Sequence, residues 1–288
     1  MDENNARQTY LALRFTLLLL AAMLAVSIVL QVAIADSFCV LHSVSGYYHT
    51  PVRNVFVGAL CAIGACLIAY RGNIDEENVA LDYSGFMAFV VAFVPTGFDR
   101  GCTASGVPSP DDPGLADAAA NNVLAVLVIA VAAALAAWRI PWLRPDPGGP
   151  LTRFAKTAIT VTLGLLVAGI VFFLAQRDLF LRHGHGVAAI LFFVGIIAVV
   201  CLNARDFAAK RDVSPWRNRY AVMAVVMTAT VLGSVVLYLI GSRYAVLVAE
   251  ALLIAEFAVF WGMQTAELRN RRVRPPEPQP AGEPVSAE

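Results

Sequence analysis

This 288-residue chain is short of charge: Asp, Glu, Lys and Arg make up 15% of it, where a soluble domain carries about 25%. It also has no net charge, with 21 basic against 21 acidic residues, which removes the electrostatic case for a nucleic-acid partner. Lysine is nearly absent, since the basic residues are arginines apart from Lys156 and Lys210; this fits GC-rich coding and carries no functional weight. Alternating apolar and polar residues are missing from the apolar stretches, so the strands of a membrane barrel are excluded. Nor is there an internal repeat of the kind that underlies an inverted-repeat transporter.

What the chain has instead is apolar sequence, 59% of the total. Continuous apolar runs near or above about 18 residues recur along it, and in a bilayer only helices or closed barrels satisfy every backbone polar group. The expected fold is therefore all-α, a polytopic transmembrane helical bundle over residues 1–264. Eight spans are expected near 15–35, 54–70, 83–96, 121–138, 154–175, 187–202, 220–240 and 244–263, with a disordered basic and Pro-rich tail at 265–288. Ala33-Ile34-Ala35 before Asp36 also fits a small-x-small cleavage site, which would leave seven spans; the apolar length of the first run favours a retained span. On the second span Gly58, Ala62 and Cys66 recur four apart, a spacing that lets helix backbones approach closely. Asp75-Glu76-Glu77 form an acidic turn before the third. Spans seven and eight are separated only by Gly241-Ser242-Arg243 and read as an antiparallel hairpin.

Orientation follows from arginine. With eight spans, 16 basic residues fall on the side of the termini and 5 on the other, so the positive-inside rule places both termini in the cytoplasm of a cell (plasma) membrane protein. Trp138, Trp142, Trp216 and Trp261 fall at the same cytoplasmic ends. His42, His49, His183 and His185 then gather on the outer side with Asp36, Asp99 and Asp178. Cys39 and Cys102 also face outward, where disulfides persist, and a bridge between them is a candidate; two unpaired thiols are the alternative. Cys61, Cys66 and Cys201 read as small packing residues within spans.

The stretch Ser43-Val44-Ser45-Gly46-Tyr47-Tyr48-His49-Thr50, with Arg53-Asn54-Val55-Phe56-Val57-Gly58 behind it, resembles a bacterial family of uncharacterised multi-span membrane proteins with the pattern S-x-S-x-Y-Y-x-T-x-x-R-x-x-F-V-G. Phe93-Val94-Pro95-Thr96, Arg217-Asn218-Arg219-Tyr220 and Glu250 with Phe257 and Trp261 accompany it. Spans four and five look like an addition to the shorter form. The resemblance implies the fold and carries no activity. A more distant likeness is to membrane hydrolases of the alkaline ceramidase and adiponectin receptor type, which gather Ser, Asp and three His around zinc. Ser45-x-x-x-His49 has that look, whereas the last span has no H-x-x-x-H and His183 and His185 stand two residues apart in an expected connector.

Two functional readings follow. In the first, membrane lipid or a small amphiphile is bound or sensed at the outer side without catalysis and without a cofactor. Its contacts come from Glu250, Arg53, Tyr47, Tyr48 and Glu256. A charge near the middle of an apolar span costs about 2.5 to 3.5 kcal/mol, so Glu250 and Glu256 must each be neutralised, paired or open to water. Six positions are about 240° around a helix, so the two do not share a face. Arg53 or Arg243 can pair with Glu250, and Thr228 or Thr230 can bond Glu256. In the second reading a zinc hydrolase of lipid amides or esters uses His49, His183 and His185 as ligands, with Ser45 and Asp99 in catalysis. A proton-coupled transporter using Glu250 and Glu256 ranks third. The plain alternative for the histidines is a solvated loop at headgroup level, or one that senses pH.

Overall fold

A computed structural model describes residues 3–34, 40–97, 113–140 and 152–270. Among these the chain is all-helical: α1 (Glu3–Ile34), a 3₁₀ turn (Ser45–His49), α2 (Arg53–Ala69), α3 (Asp75–Phe93), α4 (Pro113–Arg139), α5 (Arg153–Ala175), α6 (Arg177–Arg211), α7 (Arg219–Leu239) and α8 (Ala245–Asn270). Six of these helices, α1 and α4 to α8, are long and apolar enough to cross a membrane. The other two fall short by composition or length: α3 carries Asp75, Glu76, Glu77 and Asp82, and α2 has 17 residues.

Contacts between neighbours close a ring in the order α1, α2, α3, α6, α7, α8 and back to α1, while α4 and α5 lie outside it against α3 and α6. The ring's interior is apolar, with Leu17, Ala21 and Leu24 of α1 facing Phe56, Leu60 and Ile63 of α2 and Leu253 and Phe257 of α8 across one core. Its exterior is apolar as well. Val128, Ile129, Leu174, Val225, Leu232, Leu239 and Val259 are among many large side chains left exposed. In water such a surface would be an association hazard; in lipid it is ordinary solvation. This is the pattern of a helical bundle embedded in a membrane.

Where lipid solvates the outside as well as the apolar core does the inside, close packing of small residues holds helices together. Gly64 and Gly85 do this between α2 and α3: a Cβ on either would stand 2.7 Å from the other's carbonyl oxygen. Gly195 of α6 lies as tightly on Ser84 of α3. The packing face of α2 is therefore Phe56, Ala59, Leu60, Ile63, Gly64 and Leu67, and not the one marked by Gly58, Ala62 and Cys66. Gly58 is exposed with nothing within 4 Å of a Cβ. Spacing of small residues identified a possible face, and the bulky apolar residues around Gly64 decided between the two.

Several boundaries differ from those expected. Arg7 and Arg14 belong to α1, and Arg14 is buried. Asp75-Glu76-Glu77 form the first turn of α3, where carboxylates complement the unpaired N–H groups of a helix start. α6 begins at Arg177, ten residues before the expected span, because only Gln176 separates it from α5 and the backbone bonds run across: Gln176 N–H donates to Phe172 O and Phe180 N–H to Gln176 O, both at 2.9 Å. His183 and His185 are thus helical. α8 continues to Asn270, past the expected boundary at 264. The α7–α8 hairpin forms as expected. Gly241 at φ +80° supplies the left-handed turn, and Ser242 N–H closes on Leu237 O at 2.9 Å.

Candidate functional site

The 3₁₀ turn is built by its own polar residues. Ser43 Oγ accepts the Gly46 N–H at 2.8 Å, Tyr47 N–H donates to Val44 O at 3.1 Å, and Thr50 Oγ1 donates to Tyr47 O at 2.7 Å. Thr50 Oγ1 also accepts the Val52 N–H at 3.3 Å, which starts α2. A Cβ on Gly46 would come within 3.0 Å of Ser43 Oγ, so the turn favours a residue without one. Tyr47 and Tyr48 are buried. The Tyr47 hydroxyl accepts the Leu41 N–H at 3.4 Å, and burial, opposed by that bond, pushes the phenol above its ordinary 10.0. Arg53 lies over the Tyr48 ring at 4.6 Å and donates to its hydroxyl at 3.0 Å. Ser43, Tyr47, Tyr48, Thr50 and Arg53 of the patterned stretch each hold this turn in place.

Ser45 does something else. Its N–H donates to Glu250 Oε2 at 3.2 Å and its hydroxyl donates to Glu250 Oε1, so both oxygens of one carboxyl are engaged by one residue. Leu247 N–H, one turn earlier on α8, donates to His42 O at 2.9 Å. Residues 42–45 are therefore fastened across the end of the ring onto the first turns of α8. Glu250 pairs with neither expected arginine: Arg53 is engaged by Tyr48, Arg243 lies over Tyr244, and among the described residues no cation stands at ion-pair distance from Glu250.

Glu250 faces two spaces. Inside the ring is an apolar cavity of about 60 Å³ between Val44, Ser45, Phe56, Phe192, Ile254 and Phe257. Outward lies a groove of about 600 Å³ bounded by α6, α7 and α8. Ser43, Thr96, His185 and Glu250 gather at the connector end, Thr228, Ser234 and Tyr238 line the α7 side, and the rest of the wall, with Ile190, Phe193, Val194, Val231, Leu232 and Leu253, is apolar. The groove exists because α6 and α8 barely touch, each meeting α7 instead.

The histidines do not form one group. His49 Nε2–H donates to Thr96 O at 2.8 Å. Burial lowers its pKa from the ordinary 6.5, the bond to Thr96 acts in the opposite sense, and the Arg53 charge adds to the lowering. His185, 3% exposed, donates from Nδ1 to Val94 O at 2.7 Å and stacks on Phe56, its Nε2 buried without a partner. His183, two positions earlier on α6, faces the other way, into an apolar groove of about 350 Å³ walled by α3, α4, α5 and α6. Residues i and i+2 of a helix do not converge, and among the described residues no three His, Cys, Asp or Glu side chains gather as metal ligands. His49, His183 and His185 do not fit the zinc set that the hydrolase likeness implies. Asp99, Cys39 and Cys102 lie outside the described residues, as does the tail beyond Asn270; Cys61, Cys66 and Cys201 are free thiols.

Glu256, a turn and a half along α8 from Glu250, accepts from Thr230 Oγ1 at 2.6 Å through Oε1, with Oε2 buried and unbonded. It lines neither the cavity nor the groove at Glu250.

A second polar cluster, at the opposite end of the ring, escaped the reading of the sequence. Arg14 of α1 donates to Gln264 O at 2.6 Å and to the Tyr70 hydroxyl, with its guanidinium 5.1 Å over the Tyr70 ring. Gln264 Nε2 donates to Asn203 Oδ1 at 2.6 Å, and Asn203 Nδ2 donates to Glu77 Oε1 at 2.8 Å. All four of Arg14, Glu77, Asn203 and Gln264 are buried, beside a polar cavity of about 70 Å³ that has room for a few waters. Next to it Glu267 accepts from the Tyr220 hydroxyl at 2.6 Å and pairs with Arg219 at 3.0 Å. The signal was present as polar residues near the ends of apolar helices, yet nothing in the sequence says that residues 14, 77, 203 and 264 meet.

Compared with known proteins, the chain matches no family model, no curated protein and no solved structure.

Proposed function

We propose that this chain is an eight-span membrane protein, both termini cytoplasmic, that binds a lipid or small amphiphile without catalysis in the groove between α6, α7 and α8. The observation that carries the reading is Glu250: a carboxyl among Ser43, Thr96 and His185 at one end of a groove of about 600 Å³ whose remaining walls are mostly apolar, with Thr228, Ser234 and Tyr238 on the α7 side. An apolar cleft with a few convergent polar groups is the usual form of a small-molecule site, and an ionisable residue retained within a span is by default functional. The arginine distribution of 16 against 5 supports the orientation and, with it, a polar mouth toward the outer face. Leu17, Ala21 and Leu24 in the shared core support retention of α1 as a span.

The test is the lipid content of detergent-purified protein measured by native mass spectrometry. Wild type is expected to retain a bound amphiphile that Ala249→Trp, which fills the groove, removes, and that Glu250→Gln depletes. Identical adducts on all three proteins would overturn the reading.

A further inference from the structure

The groove closes partway along its helices. The buried residues of α7 are Tyr220, Ala221, Ala224 and Met227, all in its first half, and none is buried from Thr228 to Leu239. At the closed end aromatic rings join the three helices: Tyr220 meets Phe207 of α6 with centroids 5.5 Å apart and Phe260 of α8 at 6.1 Å. Toward the connector end the helices diverge, and the groove is the wedge between them. Its deepest lining residues are Ile197 of α6, Thr228 of α7 and Leu253 of α8. Beyond them Val200, Met227 and Phe257 are buried and take no part in its wall.

With a rise of about 1.5 Å per residue, the wall runs about 18 Å along α6 from His185 to Ile197, about 15 Å along α7 from Tyr238 to Thr228 and about 12 Å along α8 from Ala245 to Leu253. The hydrocarbon of one leaflet is about 15 Å thick, half of a core of about 30 Å. The groove therefore has the depth of one leaflet and ends in a floor. Ser43, Thr96, His185, Tyr238 and Glu250 stand at its open end, whereas the hydroxyl of Thr228, at the floor, turns back to donate to Ala224 O at 2.7 Å.

Resting on the groove reading above, we infer that the groove is a length gauge: it takes a hydrocarbon chain of a lipid from the leaflet at the connector end, and the floor at Ile197 and Leu253 sets the longest chain that fits. A chain that stops short leaves apolar volume without contacts, and a longer one must fold back or displace packed side chains; both are unfavourable. Surrounding lipid solvates a tail about as well as the groove does, so depth shows as an optimum of length rather than as a steady gain with each CH₂. An extended tetradecanoyl or hexadecanoyl chain spans the wall from mouth to floor.

The experiment presents monoacylglycerols with saturated chains from octanoyl to eicosanoyl, in competition at equal mole fraction, to full-length protein in nanodiscs, with occupancy read by native mass spectrometry. Their common head group leaves length as the one variable. Wild type is expected to prefer tetradecanoyl or hexadecanoyl, with octanoyl and eicosanoyl lower by about fivefold or more. Ile197→Ala and Leu253→Ala open the floor from two helices, so misfolding of one leaves the other; both are expected to move the optimum to longer chains, and Ile197→Phe to shorter ones. Occupancy without an optimum, or an optimum that stays in place in all three variants, with Ala249→Trp still abolishing binding, would overturn the gauge and leave the groove standing. No occupancy by any member, or occupancy unchanged in both Ala249→Trp and Val235→Trp, which fill the groove from α8 and from α7, would overturn the two together.

Discussion

Ser45 and Glu250, 205 residues apart in the chain, are joined twice: the serine's amide reaches one carboxyl oxygen at 3.2 Å and its hydroxyl reaches the other. That double contact makes residues 42–50 a lid on α8 rather than a solvated loop, and it holds Glu250 at the boundary between the ring's interior and the groove. A hydrogen bond contributes about 0.5–1.5 kcal/mol net, and a buried acceptor left unsatisfied costs about 1–3 kcal/mol. Ser45→Ala removes the hydroxyl bond and keeps the amide one, so a loss of about 1–2 kcal/mol is expected. Hydrogen exchange should show it as faster exchange confined to residues 41–50 and the first turns of α8, with the opposite end of the ring unchanged.

The two glycine faces of α2 separate packing from spacing. Gly64→Ala places a methyl 2.7 Å from the Gly85 carbonyl, and overpacking of this kind costs about 1–3 kcal/mol. Gly58→Ala meets nothing within 4 Å and should be neutral or stabilising by up to about 1 kcal/mol through helix propensity. Thermal unfolding in one detergent, both variants beside wild type, checks the difference in sign.

Asn203 stands between Glu77 and Gln264, donating to one and accepting from the other. Asn203→Leu leaves Glu77 Oε1 and Gln264 Nε2 without that partner, each at about 1–3 kcal/mol. Removing Gln264 as well should then cost less than the sum of the single changes. A double-mutant cycle on Asn203→Leu and Gln264→Leu is expected to give a coupling of about 0.5–3 kcal/mol, and additivity would show that the contact carries no stability.

His49 makes the lid sensitive to acid. Its folded pKa lies below the ordinary 6.5, so below 6.5 the unfolded chain takes up its proton before the folded chain does. The stability it contributes is fully present above 6.5 and is lost as pH falls from there through the lowered folded value. Hydrogen exchange within residues 45–50, corrected for its intrinsic pH dependence, should rise relative to the rest of the chain between neutral pH and about pH 5. His49→Gln, which can still donate to Thr96 O, should flatten that rise.

How much of this could be read from the sequence depended on the distance over which each signal acts. Continuous apolar runs report on the solvent around a helix, so α1, α4, α5, α7 and α8 were legible, and the Gly241 turn between α7 and α8 was legible from three adjacent residues. The start of α6 was not, because Gly184, Gly186 and two histidines look like a loop until Phe180 and Ala188 are seen packed in the core. Glu250 stood out as an acid in an apolar span. Its partner did not, since arginine is the default guess for a carboxyl and the bond came instead from a serine in the connector. Arg14 lies just outside the span expected at 15–35, and its burial was hidden for the same reason: it depends on Tyr70 and Gln264, 56 and 250 residues away.

The groove between α6, α7 and α8 is tested most directly by photolabelling in membranes with a hexadecanol that carries a diazirine at mid-chain, followed by peptide mapping. Labels are expected to concentrate on Phe193, Val194, Val231, Leu232 and Leu253, and Ala249→Trp or excess unlabelled hexadecan-1-ol should suppress them. Labels spread over the exposed faces of α4 and α5 and unaffected by either treatment would contradict a bound amphiphile at Glu250.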